Sequence, residues 1–154
     1  MRRGGSLLAL ALLAGCSGGA GEAAKAVRAY DDALVRAYAG NDASRLAGVA
    51  TDKELARVQV LIDLKVAGKL VLESRIESFE VTSASSSGDT ATVETRERWR
   101  YHDRRLRPGE PPGPEFVADM KMRYDLVREG GRWKVASATT LANDFVEPPK
   151  GKAT

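Results

Sequence analysis

The sequence predicts an α+β fold in which N-terminal helices pack on one face of an antiparallel sheet of about four strands. Between residues 22 and 66, apolar residues recur at spacings of three and four, which is the period of a helix. From about residue 70 the spacing changes to two, which is the period of a strand. Helical segments come first and strand segments follow, an order typical of α+β proteins.

Length and composition are those of one globular domain. The chain has 154 residues, of which 43% are apolar and 29% are charged, so a polytopic membrane protein is excluded. The net charge of +3 does not indicate nucleic-acid binding. One cysteine and one histidine exclude an intrachain disulfide and a zinc site built from these residue types, and we predict no metal site.

The first helix is predicted to begin at residue 22 and to stop at Gly40-Asn41. Its apolar face consists of Val27, Tyr30, Leu34 and Tyr38. The charged residues fall mostly elsewhere on the helix: Lys25, Arg28, Asp31, Asp32 and Arg36.

Two further helical segments follow. A short one spans residues 43–49, and a longer one begins after Thr51 and ends near Gly68. The spacing from Thr51 to Glu54 is that of a capping box, in which each side chain bonds the other residue's backbone amide.

The first strand is predicted over residues 70–83, and a polar turn over residues 85–89 follows it. The second strand, residues 90–104, alternates strictly between two faces. We expect the helices to cover one face and water to meet the other. The inward face carries Ala91, Val93, Thr95, Glu97, Trp99 and Tyr101.

A loop rich in proline and glycine, residues 108–114, precedes the third strand. This strand ends at a Gly130-Gly131 hairpin turn. The fourth strand runs from residue 132 to about residue 141 with Trp133 inward, and the tail over residues 146–154 is predicted to be disordered. The inward side chains of the third strand are Phe116, Ala118, Met120, Met122, Tyr124 and Leu126.

The N-terminus has the pattern of an export signal. Arg2 and Arg3 precede an apolar run from Leu7 to Leu13, which is too short to span a bilayer but typical of a signal peptide. The segment Leu13-Ala14-Gly15-Cys16 resembles the lipobox of bacterial lipoproteins. This resemblance implies cleavage before Cys16, a diacylglycerol on its thiol and an acyl chain such as palmitate on its freed amine.

The predicted processing sets the organisation of the chain. We predict a signal peptide over residues 1–15, a lipidated Cys16 with a flexible tether up to residue 21, and a cone-like domain over residues 22–145. Without Arg2 and Arg3, 22 basic and 21 acidic residues remain, a net charge of +1. Because the residue after the cysteine is serine and not aspartate, the resemblance implies the periplasmic face of the outer membrane in a two-membrane bacterium.

The strands carry a second resemblance. A long antiparallel sheet that follows helices and ends in a strand–Gly–Gly–Trp hairpin resembles the nuclear transport factor two-like fold, or cystatin-like cone, most strongly over residues 123–135. Residues 55–135 look like the intermembrane-space domain of chloroplast-division proteins and their bacterial relatives. The resemblance implies a curved, cone-like sheet that contacts other proteins or encloses a small apolar ligand. No transmembrane helix or J-like region accompanies it, so a division role does not carry over.

Glu97 is the acidic residue on the predicted inward face of the second strand. An unpaired buried carboxylate is costly, so we expect an arginine or hydroxyl partner. Two interpretations stay open, a pocket acid that moves a proton and a structural glutamate paired with an arginine. Two interpretations of the apolar side chains on the same inward face also stay open: they line a ligand cavity, or they form the ordinary core between helices and sheet. The candidate pocket comprises Glu97, Trp99, Tyr101, Met120, Met122, Tyr124 and Trp133.

His102 and Asp103 are adjacent, which suggests an acid–base pair. Neighbouring residues of a strand point to opposite faces, however, so their side chains are not expected to bond each other. No catalytic residue is assigned on this basis.

Six arginines concentrate positive charge between residues 96 and 107. Trp99 and Tyr101 lie on the opposite face from most of them, which argues against stacking on nucleic acid. Two interpretations stay open, a surface for an acidic envelope protein, anionic polymer or lipid headgroups, and a solvated face offset by carboxylates of adjacent strands. The candidate surface comprises Arg96, Arg98, Arg100, Arg104, Arg105 and Arg107.

The sequence therefore predicts a membrane-anchored envelope lipoprotein whose domain acts as a non-catalytic protein- or ligand-binding module. The alternative is a small-molecule-binding or isomerase- or dehydratase-like enzyme that uses Glu97. No cofactor is expected beyond the covalent lipid on Cys16, and the oligomeric state stays open.

Overall fold

A computed structural model of the protein describes residues 17–146. Cys16 and the tail from Glu147 to Thr154 lie outside the described residues, so their predicted lipidation and disorder stay predictions. The elements are α1 (Ser17–Gly40), a short 3₁₀ helix (Ala43–Leu46), α2 (Asp52–Ala67), β1 (Leu70–Ser87), β2 (Thr90–Arg105), β3 (Phe116–Glu129) and β4 (Arg132–Val146).

The four strands form one antiparallel sheet in the order β1-β2-β3-β4, and the helices pack on one of its faces. The predicted α+β class is therefore confirmed. Irregular pairing within β1 and within β4 adds residues to these two edge strands, and such bulges bend a sheet. The resulting curvature produces the concave face that the helices cover. Neither α1 nor α2 contains a stretch long and apolar enough to span a membrane.

Helix α1 begins five residues earlier than predicted, so residues 17–21 are helical and not a flexible tether. The reason lies in the length of β1, which extends to Ser87 and brings Ser86 against the first turns of α1. A side chain at Gly19 would meet the Ser86 hydroxyl at 2.8 Å, so the glycine permits this close approach. Further along, Val27 and Tyr30 are fully buried, as their spacing predicts.

The N-terminus of α2 forms half of the predicted capping box. The Thr51 hydroxyl accepts a hydrogen bond from the Glu54 amide, at 3.4 Å. The return bond is absent among the described residues because the Thr51 amide donates to the carbonyl of Val135 on β4. The Glu54 carboxylate is thereby free for other partners, and it lies 2% exposed in the core. Gly68 caps the other end of the helix, as predicted.

Two tight turns join the outer strand pairs at the same end of the sheet. Gly130 and Gly131 both have positive φ, the backbone geometry that a two-residue hairpin needs to follow the strand twist. The β1–β2 turn consists of Gly88 and Asp89, shorter than the predicted polar turn because β1 continues through the serines before it. Strand β4 is also longer than predicted and ends at Val146.

The alternation predicted for β2 is confirmed, since the inward residues from Ala91 to Trp99 are buried and their outward neighbours are not. Phe116 lies opposite the inward residue Tyr101 in the register, so its predicted face is correct. It is nevertheless 42% exposed, and its ring stacks on Tyr101 with ring centroids 5.7 Å apart. Phe116 is the first residue of β3 and does not belong to the buried core between the helices and the sheet.

Candidate functional site

A cavity of about 280 Å³ lies between the second half of α1 and the concave face of the sheet. Its walls are mainly apolar and aromatic, and α1 contributes Tyr30, Asp31, Leu34 and Tyr38. Six of the seven residues proposed from the sequence line it: Glu97, Trp99, Tyr101, Met120, Met122 and Tyr124.

Trp133 is the exception and does not line this cavity. It lies next to the β3–β4 turn, paired with Arg128, at the end of the sheet away from the cavity. Its ring is buried in the core under the Arg128 guanidinium, 4.5 Å from the ring centroid. Alternation placed Trp133 on the correct face, but only the register shows how far along that face it lies.

Glu97 is 3% exposed and accepts three hydrogen bonds. Its Oε1 accepts from the hydroxyl of Thr95 at 2.5 Å and from the hydroxyl of Tyr124 at 2.8 Å. Its Oε2 accepts from the indole N–H of Trp99 at 2.6 Å. Within the described chain no arginine pairs with it, so the arginine-paired interpretation is wrong and the hydroxyl partner is the one observed.

Asp31 completes this network, and sequence reasoning missed it. The Tyr124 hydroxyl lies 3.0 Å from Asp31 Oδ1, so one phenol bridges the carboxyl groups of Asp31 and Glu97. Asp31 follows Val27 by four residues and precedes Leu34 by three, which places it on the buried stripe of α1. This spacing could have indicated that Asp31 is buried. Asp31 was instead grouped with the charged residues outside the apolar face because aspartate is charged.

Burial is the main reason that the pKa of Asp31 lies well above its ordinary value, and the negative charge of Glu97 raises it further. The bond from Tyr124 and the charge of Arg28 act in the opposite direction. Burial likewise raises the pKa of Tyr124, and the two neighbouring carboxyl groups add to the effect. The pair of carboxyl groups therefore favours a single negative charge.

A second, partly buried network borders the cavity. Glu54 Oε1 accepts from the hydroxyl of Tyr30 at 2.5 Å, and Arg57 donates to both carboxylate oxygens at 2.6 and 2.8 Å. Arg57 also lines the cavity. The rings of Tyr30 and Tyr124 meet edge to face with centroids 6.1 Å apart, so the two networks are in direct contact.

His102 and Asp103 do not bond each other, as the strand geometry predicts. His102 Nε2 lies 3.1 Å from Glu73 on the outer face of the sheet. Asp103 accepts from Lys65 at 2.7 Å. Across residues 17–146 no group of three or more histidine, cysteine, aspartate or glutamate side chains is arranged to hold a metal ion.

The candidate arginine surface is largely neutralised by neighbouring carboxylates. Arg104 pairs with Glu73 at 2.5 Å, and Arg98 pairs with Asp119 at 2.6 Å. Arg96 alone of the six has no carboxylate within 4.0 Å in the described part of the chain. The observed pairing matches a solvated, charge-balanced face, and the surface for an acidic partner stays a prediction. The remaining pairs join Arg100 to Glu77 and Glu115, and Arg105 and Arg107 to Glu110.

No protein-family model matches the chain, and no curated protein sequence matches it. Solved structures do match. The intermembrane-space region of the chloroplast protein ARC6 superposes with a TM-score of 0.70 at 20% identity, covering 80% of this chain and 96% of that one. The resemblance to such a domain is thus confirmed as a likeness of fold.

Two bacterial proteins superpose less closely. A proposed aromatic ring hydroxylase from Novosphingobium aromaticivorans has a TM-score of 0.55 at 14% identity, covering 81% of this chain and 94% of that one. A proposed dehydratase of the NTF2-like family from Streptomyces avermitilis has a TM-score of 0.52 at 16% identity, covering 80% and 99%. These likenesses, together with two helices packed on a curved four-stranded sheet, show that this chain has the NTF2-like cone fold.

Proposed function

We propose that this protein binds a small, largely apolar molecule inside the cone, as a lipid-anchored module of the cell envelope. One observation carries the binding proposal. Two buried polar atoms that have no hydrogen-bond partner among the described residues, Asp31 Oδ2 and Ser74 Oγ, belong to residues lining the same cavity. Buried polar atoms are almost always satisfied, and a bound molecule would supply the missing partners.

The rest of the cavity lining suits an apolar guest. Trp99 and Tyr101 offer flat aromatic surfaces, and Met120 and Met122 are unbranched side chains that adapt to irregular shapes. An apolar cavity with a few fixed polar groups is the usual form of a small-molecule site.

We expect Ala138→Phe to weaken the binding of small aromatic molecules strongly, because Ala138 faces the cavity from β4 and a phenyl ring there would occupy space that the ligand needs. For the wild type, a fragment at 100 times its Kd should add about 2.7 kcal/mol to the free energy of unfolding. Thermal-shift screening followed by calorimetry measures both effects.

Ala142→Phe is the matched control, since Ala142 lies on the outward face of the same strand opposite Lys121. This variant should bind like the wild type. Wild-type affinity in Ala138→Phe would place the ligand elsewhere and contradict the proposal.

Proton transfer is a second candidate function, favoured by the carboxyl pair of Asp31 and Glu97 bridged through Tyr124. A protonated acid beside an ionised one can serve as acid and base in one site. The neighbour described as a proposed dehydratase has the same fold, which permits this chemistry without establishing it. The two functions differ in outcome, because a binding module returns its ligand unchanged, whereas an enzyme of this kind exchanges ligand C–H hydrogens with D₂O.

We expect Cys16→Ala to leave an unprocessed precursor that incorporates no fatty acid, because the thiol is the proposed attachment point. Labelling with a radioactive fatty acid in a bacterial host measures this directly. Wild-type labelling of the variant would rule out a lipid on this cysteine. A Ser17→Ala variant serves as the control and should be processed and labelled normally.

The proposed anchor lies at one end of α1 and the cavity lies toward the other. Ser17, the residue after Cys16, begins the helix, and Asp31 follows 14 residues later, which is about 21 Å along the axis.

A further inference from the structure

The bridge between Asp31 and Glu97 depends on where two protons lie. The Tyr124 hydroxyl has one hydrogen, yet carboxyl oxygens of both residues lie within hydrogen-bond distance, at 3.0 Å for Asp31 Oδ1 and 2.8 Å for Glu97 Oε1. One hydrogen cannot serve both contacts. The second contact is a hydrogen bond only if one of the carboxyl groups carries a proton and donates it to the phenol oxygen.

Asp31 is the group that fits the donor role. Glu97 already accepts from Thr95 and Trp99, and a third bond from Tyr124 completes the surroundings of a carboxylate anion. Asp31 has no partner other than Tyr124 among the described residues and is fully buried. Its raised pKa, caused mainly by burial, is consistent with a carboxylic acid. The chain of bonds thus runs from Asp31 Oδ1–H to Tyr124 Oη, and from Tyr124 O–H to Glu97 Oε1.

This arrangement makes the remaining oxygen of Asp31, Oδ2, a hydrogen-bond acceptor. With the proton on Oδ1, Oδ2 is a carbonyl oxygen that can only accept a hydrogen bond. It has no donor in residues 17–146, and Asp31 lines the cavity. A guest that completes the network must therefore bring a donor.

We propose that the cavity selects neutral molecules in which an N–H or O–H group on an apolar body donates to Asp31 Oδ2. The proposal rests on the proposed binding function and specifies its ligand class as phenols, alcohols and N–H heteroaromatics. Because Asp31 is fully buried, the guest reaches Oδ2 only when the cavity lining rearranges, and this lining includes the adaptable side chains of Met120 and Met122.

Charge supports a neutral guest. Glu97 already places one negative charge beside the cavity, so an anionic guest would meet repulsion. Arg57 does not offset this charge, because its guanidinium is held by both oxygens of Glu54.

The test compares probe pairs that differ only in the donor. Indole and benzofuran have nearly the same shape, but only indole has an N–H, and 2-naphthol and 2-methylnaphthalene differ likewise by an O–H. Calorimetry on the processed, lipidated protein in lipid nanodiscs, with empty nanodiscs as the blank, gives each Kd. We expect the donor-bearing member of each pair to bind about tenfold more tightly or better, because its partner leaves Oδ2 buried and unsatisfied.

Two variants at position 31 test whether the preference for donor-bearing probes comes from a hydrogen bond to this residue or from the shape of the cavity. In Asp31→Asn, the amide N–H₂ can donate to Tyr124 while the amide oxygen replaces Oδ2, so the preference for donors should persist. In Asp31→Leu, both members of a pair should bind with equal affinity.

Equal affinity of the paired probes for the wild type would overturn the ligand class while leaving the binding function in place. Loss of the preference in a folded Asp31→Asn protein would show that Asp31 acts as an anion and would overturn the proton assignment. If none of the four probes binds, the proposed function fails and this inference fails with it.

Discussion

Replacing Glu97 with alanine is expected to lower the free energy of unfolding by about 3–5 kcal/mol, because three buried donors lose their acceptor at once. The hydroxyls of Thr95 and Tyr124 and the indole N–H of Trp99 all point at this carboxylate. Urea denaturation followed by circular dichroism measures the loss. Glu94→Ala is the control, since Glu94 lies on the opposite face of β2, and its effect should stay within about 0.5 kcal/mol.

Glu97→Gln should cost less, about 1–2 kcal/mol. With its amide nitrogen at the position of Oε1, glutamine can donate to the hydroxyls of Thr95 and Tyr124, which are able to accept. Its oxygen still accepts from Trp99, and Tyr124 turns its hydrogen toward Asp31, which releases its own proton to solvent and accepts the bond. A loss as large as that of the alanine variant would show that these hydroxyls cannot reverse. Equal small losses for Glu97→Ala and Glu94→Ala would contradict the network itself.

The stability advantage of Asp31→Asn over the wild type is expected to grow as pH rises from about 4. In the unfolded chain Asp31 loses its proton near its ordinary pKa of 3.8, whereas in the fold burial and the charge of Glu97 hold its pKa well above that value. Over the interval between these pKa values the folded state binds more protons, so the free energy of unfolding of the wild type falls with rising pH. Asparagine has no proton to lose.

The difference between the two proteins should therefore increase by up to about 1.4 kcal/mol for each pH unit within that interval. Urea denaturation at a series of pH values from 4.5 to 7.5 measures it. Asp32→Asn is the control, because Asp32 is half-exposed and paired with Arg28 at 3.2 Å, and it should show no such slope. A constant difference, or one that shrinks with rising pH, would contradict a protonated Asp31.

The sequence indicated Glu97 as a candidate site residue but did not indicate Asp31. Glu97 was identified because a strand alternates strictly, so one acidic residue on an otherwise apolar or small inward face is visible in the sequence. Asp31 was not, because a helix face is broader and a charged residue beside an apolar stripe is most often solvated. Its burial depends on Tyr124, which is 93 residues away in the chain.

The candidate arginine surface was likewise visible in the sequence, whereas its ion-pair partners were not. The six arginines from Arg96 to Arg107 are obvious in the sequence, but most of their carboxylate partners are supplied across strands or by the loop. Whether a charged strand face is free or neutralised depends on which residues the register places opposite each other, and a shift of one residue would reverse it.

The sequence by itself determined the order of helices and strands, the inward face of β2, the Thr51 cap and the glycine hairpin turn, because each depends on residues close together in the chain. Only the tertiary structure decided that α1 starts at Ser17, that Trp133 lies away from the cavity and that the Tyr124 hydroxyl bridges Asp31 and Glu97. These features depend on how far a strand extends and on contacts between distant segments. Local periodicity specifies the face on which a side chain lies, and packing specifies what that side chain meets there.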